Sequence, residues 1–151
     1  MRDVNELHRV MSDPRVMQHI GQGALTWLEV RDVVSRVVAR WNETGMGWWT
    51  IRLRQDGYLI GQICLRPEND LPEIAVGYGL DAAFWRQGYT REALEAVVAY
   101  GFNERSLKRI VATVRPENTA SRALLERCGF FQEPDVFVRN KALCLFARSA
   151  S

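Results

Sequence analysis

The part of this chain best suited to chemistry is a turn that opens a helix, Trp85-Arg86-Gln87-Gly88-Tyr89-Thr90-Arg91-Glu92-Ala93. A strand-like run ends just before it at Leu80, and a strong helical pattern follows. The first amides of a helix have no partner within it, and the helix dipole adds roughly half a positive charge there. Such a turn binds anions and suits a pyrophosphate. Gly88 lets the backbone come close to a ligand, and Arg86 and Arg91 add cationic side chains. Glu92 in the first turn complements the dipole. Upstream, Glu73 opens a run on the same strand face as Ala75, Gly77 and Gly79, where small residues leave room for a second substrate. A carboxylate in a partly apolar cleft is a candidate general base acting through water, the alternative being a solvated residue at a strand start. Glu43 is another candidate base. Trp48 and Trp49 alternate across a strand, so one packs in a core while the other is placed to line a cleft.

Other chemistries are excluded by type and spacing. Cys64, Cys128 and Cys144 are far apart, each in an apolar segment, and the two histidines, His8 and His19, both fall near the start. No CxxC or Cys/His spacing is present, so no metal is expected and the thiols read as small core residues.

The elements that must position these groups are legible along the chain. Residues 3–11 form a short helix, ended by an Asp13-Pro14 turn. Thr26 with Glu29 is a capping box, and Val30, Val33, Val34, Val37, Val38 and Trp41 mark one face of a helix ending near Glu43. Residues 48–54 and 58–65 read as strands around Gln55-Asp56-Gly57, since Asp-Gly between β-rich runs signals a hairpin. Residues 73–80 form a third strand. A helix over residues 88–104 turns Leu94, Val97, Val98, Gly101 and Phe102 inward. Residues 109–114 are a short strand rich in β-branched residues. Asn118 caps a helix running to Arg127, and Gly129 suits the left-handed position beyond it, with Phe130 folding back on Leu124 or Leu125. Residues 131–139 and 142–148 form a last pair of strands. Helices and strands in this order make one α/β domain with a mixed sheet.

Length and composition fit that outcome. The chain has 151 residues, 47% hydrophobic and 25% charged, with a formal net charge of +2. A single domain over residues 1–151 is expected. The small net charge gives no argument for nucleic acid. No stretch approaches the ~20 apolar residues that span a bilayer, and the start lacks a signal-peptide core, so a soluble cytoplasmic protein without a membrane partner is expected. Arginine outnumbers lysine 18 to 2, a bias that genome composition alone can produce.

The succession Gly77-Tyr78-Gly79-Leu80-Asp81, then residues 85–93, then Asn118-Thr119-Ala120-Ser121 with Cys128-Gly129-Phe130, resembles the GNAT superfamily of N-acetyltransferases. It is similar to the branch of ribosomal-protein N-terminal acetyltransferases. The resemblance spans residues 7–148 and implies a mostly antiparallel twisted sheet, flanked by helices, with a splay between two central strands. It implies acetyl-CoA as co-substrate and direct attack of a primary amine, on a protein N-terminus or a small molecule. Tyr78, Gly79 and Leu80 would then pair with pantetheine beside a splayed neighbour at residues 109–114. The amides of Gln87, Gly88, Tyr89 and Thr90 would hold the diphosphate. Trp85 takes the first position of the family's loop, either packing to shape it or touching the ligand. Asn118 would contact the cofactor arm, and Arg122 would reach a CoA phosphate or lie on a solvated face.

The same resemblance assigns proton transfer. Many GNAT enzymes place a Tyr four residues before the Gly-Phe pair to protonate the leaving thiolate, and that position here is Leu125, which cannot donate. The N-terminal acetyltransferase branch places a serine at the position of Ser121. Ser121 is therefore a candidate proton donor, or else a serine that positions the cofactor or bonds its own helix.

Several departures stand out. The branch has Gly where this chain has Arg86, and Gly or Ala where it has Thr90. Its strand glutamate lies at the position of Ala75, two residues from Glu73. Family members also open with a β-strand, and residues 1–3 leave no room for one, so an uncovered sheet edge or a shortened chain is expected. An uncovered edge invites pairing and a homodimer. An alternative is a non-catalytic acyl-CoA-binding module. A nucleotide-binding α/β protein is disfavoured, because GxGxxG and Walker spacings are lacking.

Overall fold

The computed structural model describes residues 2–151. It comprises α1 (Arg2–Met11), α2 (Pro14–Met17), α3 (Trp27–Thr44), β1 (Trp48–Arg52), β2 (Leu59–Pro67), β3 (Ile74–Leu80), α4 (Tyr89–Asn103), β4 (Arg109–Val114), α5 (Thr119–Arg127), β5 (Phe131–Val138) and β6 (Lys141–Ser149). A short 3₁₀ turn, Ala82–Phe84, lies between β3 and α4. The strands form one six-stranded sheet in the order β1-β2-β3-β4-β6-β5. β3 and β4 are parallel, while β1–β2, β4–β6 and β5–β6 are antiparallel. The expected mixed, mostly antiparallel architecture is therefore present. Among the described residues no strand precedes α1, and β1 and β5 are the edges. No helix among them is long and apolar enough to cross a membrane.

The chain divides into two compact units, Met1–Cys64 with Tyr78–Thr90, and Leu65–Gly77 with Arg91–Ser151. In the first, α3 starts as its capping box requires: Thr26 accepts from the Glu29 amide, and the Glu29 carboxylate accepts from the Thr26 amide. Gly45, at φ +67°, ends it in the left-handed conformation that costs glycine least. The expected valine stripe is only partly covered. Val30 is buried, Val33, Val34 and Val37 are half-buried, and Val38 is 54% exposed. The apolar stripe is wider than the surface it packs on. The core of this unit joins Val4, Leu7, Val10, Met11, Val16 and Leu59 to Val30, with Trp48 against it.

The Asp13-Pro14 step, expected as a turn, instead begins a helix. Asp13 accepts from the Arg15 amide and Pro14 takes the first helical position, where its missing N–H costs nothing. The hairpin between β1 and β2 forms as expected, with Gly57 at φ +75°. Its strands run Trp48–Arg52 and Leu59–Pro67, so the loop is longer than the Asp-Gly pair implied.

In the second unit Leu94, Val97, Val98 and Gly101 are buried along α4. A Cβ at Gly101 would crowd Ile110, Leu107 and Leu65, so the helix meets its neighbours at glycine distance. Asn118 caps α5 by accepting from the Ser121 amide at 3.2 Å. Beyond its end Gly129 adopts φ +84°, and the Phe130 amide donates back to the Leu125 carbonyl. A two-residue turn joins β5 and β6, with Arg139 and Asn140 both at positive φ (51° and 63°).

Candidate functional site

In the first unit, β3 delivers the chain to the loop at residues 85–88 through a set of braces. The Asp81 amide donates to the Ile60 carbonyl at 2.7 Å. One Asp81 carboxylate oxygen accepts from the Ala83 amide at 3.0 Å and so caps the 3₁₀ turn. The other takes Arg9 Nη1 of α1 at 2.6 Å. Arg9 also donates to the Leu59 carbonyl and lies 4.5 Å from the Tyr58 ring centroid. Rings continue from Tyr58 to Phe84 to Tyr89, each centroid pair 6.1 Å apart. The Trp85 indole N–H donates to the Leu80 carbonyl at 2.8 Å, and the Gln87 side-chain amide to the Ala83 carbonyl at 3.2 Å. The indole is thereby anchored to the end of β3.

The loop itself is open. Residues 85–88 are exposed, while Tyr89 and Thr90 are half-buried where α4 begins. Gly88 adopts φ +85°, and a Cβ there would meet no atom within 4 Å. Two residues earlier, Arg86 adopts φ +62°, a left-handed conformation that strains any residue with a side chain. Upstream, the β3 residue Gly79 is buried and Tyr78 half-buried. A Cβ at Gly61 of β2 would run into the Gly79 carbonyl oxygen.

The tryptophans of β1 separate as alternation requires. Trp48 packs against the core. Trp49 sits edge-on to Trp41, centroids 5.0 Å apart, and the Trp41 indole donates to the Trp48 carbonyl.

In the second unit, Ser121 is half-buried on α5, its amide held by Asn118 Oδ1. Leu125, the position of the family's tyrosine, is fully buried. Arg122 turns back to donate to the Pro116 carbonyl at 3.0 Å, and Arg91 pairs along α4 with Glu95 at 3.2 Å. Both cations, expected to serve phosphates, therefore have protein partners here. The β3–β4 pair is registered at Ala75 opposite Val111.

Glu73, the candidate base, is paired with a cation. Its carboxylate meets Arg109 Nε at 3.3 Å, and the same guanidinium grips Glu133 of β5 with bonds of 2.6 and 2.8 Å. Glu133, chiefly through its hydrogen bond to Arg109, is held below the usual carboxylate range, and Arg109 is held above its own ordinary value by the same bond. Sequence reasoning also passed over Glu68, which is buried. It accepts from the Asn69 amide (2.9 Å), Arg66 (3.1 Å) and the Thr113 hydroxyl (2.7 Å), tying the loop after β2 to β4. A carboxylate just past the end of a strand carries no local sign of burial; only its partners reveal it.

Residues 1–131 match the family model of the acetyltransferase (GNAT) domain. The uncharacterized N-acetyltransferase YnaD of Bacillus subtilis is 28% identical over 132 residues, 87% of this chain and 75% of its own length. The crystal structure of an acetyltransferase from Agrobacterium tumefaciens superposes with a TM-score of 0.86 at 27% identity, covering 99% of this chain and 86% of that one. Mycobacterium smegmatis RimJ, solved in complex with CoA-disulfide, gives 0.83 at 25% identity, covering 99% and 78%. No group of His, Cys, Asp or Glu able to hold a metal ion occurs among the described residues.

Proposed function

The chain belongs to the GNAT acetyltransferase family, and from that premise we propose that it transfers an acetyl group from acetyl-CoA to a primary amine by direct attack. The observation that carries this reading is the loop at the start of α4. Gly88 is left-handed with open space where a side chain would be, beside the opening amides of a 15-residue helix. That arrangement fits a diphosphate, which needs N–H donors, a positive dipole end and room for close approach. Gln87, Gly88, Tyr89 and Thr90 would hold the diphosphate, with Trp85 and the Arg9–Asp81 brace fixing the loop. Tyr78, Gly79 and Leu80 would bind the pantetheine arm, and Asn118 would contact it through its amide nitrogen. Acetyl-CoA supplies the acetyl group as a thioester electrophile. In this proposal the protein positions the two substrates and supplies donors where negative charge develops.

Ser121 is the proposed proton donor to the departing sulfur, since Leu125 has no proton to give. Glu73, paired with Arg109, belongs to the scaffold in this reading. The assay is thiol release from acetyl-CoA over a panel of amines and N-terminal peptides. Ser121→Ala is expected to lower kcat by roughly tenfold or more with CoA affinity retained. Unchanged turnover would remove Ser121 from the chemistry. A second reading, a module that binds acyl-CoA without catalysis, is favoured by the buried Leu125 and the ion-paired Glu73. It predicts CoA binding with no thiol release for any amine.

A further inference from the structure

The second unit holds a cleft of about 610 Å³, within the range of small-molecule sites. One stripe of α4 forms a wall, with Glu95, Val98, Ala99 and Phe102 recurring at helical spacing. The end of α5 supplies Arg127, Cys128 and Gly129, and Arg148 of β6 completes the lining. Phe102 lies 13 residues after Tyr89, the first residue of α4, so the cleft extends to about 20 Å along the helix from its start.

The free polar groups here are chiefly donors. The Leu124, Leu125 and Glu126 carbonyls at the end of α5 already accept from the Cys128, Gly129 and Phe130 amides. The Cys128 carbonyl accepts from Arg148 Nη1 at 2.9 Å. A guanidinium carries five N–H donors and no acceptor, so Arg148 keeps donors beyond that bond. A Cβ at Gly129 would stand 3.6 Å from Arg148 Nε, and glycine leaves the guanidinium uncovered on that side. Arg127 is exposed at the helix end. Glu95 has its charge offset by Arg91, 3.2 Å away on the same helix. Burial pushes the Cys128 thiol up, so near neutrality it adds no negative charge. Two cations therefore face the cleft beside an apolar strip.

We propose that this cleft binds a small organic carboxylate, its charge on Arg127 and Arg148 and its apolar body along Val98, Ala99 and Phe102. The planar fork of a guanidinium matches a carboxylate, and two of them favour an anion over a neutral group of the same shape. The strip on α4 offers nothing to a bare inorganic anion but shelters an aryl or alkyl body. This site is separate from the loop at residues 85–88, and it stands whether or not the chain transfers acetyl groups.

The test titrates benzoate into ¹⁵N-labelled protein and follows the amide signals by NMR, with benzamide and inorganic phosphate as comparison probes. Benzoate is expected to shift the Ala99, Phe102 and Gly129 amides and to bind about tenfold or more tightly than either probe. Arg127→Gln removes a cation, and Ala99→Glu sets a repelling charge on the α4 wall. Each is expected to weaken benzoate about tenfold. Both positions are exposed, so Tm is expected to move by no more than about 2 °C. Absence of any shift at millimolar benzoate would overturn the assignment, as would full affinity in both variants. Equal affinity for benzamide or for phosphate would overturn the organic carboxylate as ligand. Shifts confined to residues 87–90, or displacement of benzoate by CoA, would put the anion at the start of α4 instead and refute a second site.

Discussion

Arg86→Gly is expected to make the fold more stable while weakening its hold on CoA. Arg86 adopts φ +62° in an exposed loop. For a residue with a Cβ that conformation costs about 1–2 kcal/mol, and glycine adopts it freely. Glycine also gives the unfolded chain more freedom, which takes back about 0.4–1 kcal/mol. The balance is a gain of roughly 0.5–1 kcal/mol, or about 1–4 °C in Tm for a chain of this size. No contact needs repairing, because the side chain is exposed. The guanidinium, however, is one of the loop's cations, and losing it is expected to reduce CoA affinity about threefold to tenfold, less so at high salt. Arg86→Ala separates the two effects, for it removes the charge and keeps the strain. Differential scanning calorimetry and CoA titrations at low and high salt provide the readouts. The expected order of Tm is glycine above alanine by about 1–4 °C, with both variants equally weak for CoA. Equal Tm for the two variants, or a glycine variant less stable than wild type, would refute the backbone argument. Undiminished CoA affinity in both would remove Arg86 from the anion site.

Two further outcomes follow from the packing and the ion pairs. Gly61→Ala is expected to cost about 1–3 kcal/mol by urea denaturation, because the new methyl meets the Gly79 carbonyl oxygen and the Leu80 backbone, which are not free side-chain ends; a neutral result would mean that β2 and β3 yield at that point. Glu133 is held below its ordinary value of 4.5, so its pairing with Arg109 stabilises the fold above that pH and is lost as pH falls through the lowered value. Glu133→Gln is therefore expected to be less stable than wild type near neutrality, with the Tm gap closing as the pH falls below the ordinary carboxylate value. A gap that is constant with pH would show that the charge plays no part.

Much of the fold could be read locally. The α3 capping box, the Asn118 cap, Gly129 and the bounds of β3, β4 and α5 all rest on signals within a few residues of one another. Such signals keep their meaning wherever the segment finally lies. Where local reading failed, the competing signal was also local or the packing surface was limited. Asp13-Pro14 has the composition of a turn and of a helix start alike, and four residues are too few for periodicity to decide. Val38 follows the helical period but finds too little surface to cover it.

By itself, then, the sequence determined the order of elements, their caps and the glycine turn at the start of α4. The tertiary structure alone decided which charges meet. Arg9 reaches Asp81 across 72 positions, and Arg109 gathers Glu73 and Glu133 from 36 and 24 positions away. It also placed Gln62 over Gly79 and put Arg86 rather than a glycine at a left-handed φ. The reason is physical. Caps and periodicity depend on backbone hydrogen bonds between near neighbours, whereas an ion pair or a buried side-chain contact depends on which strands lie side by side.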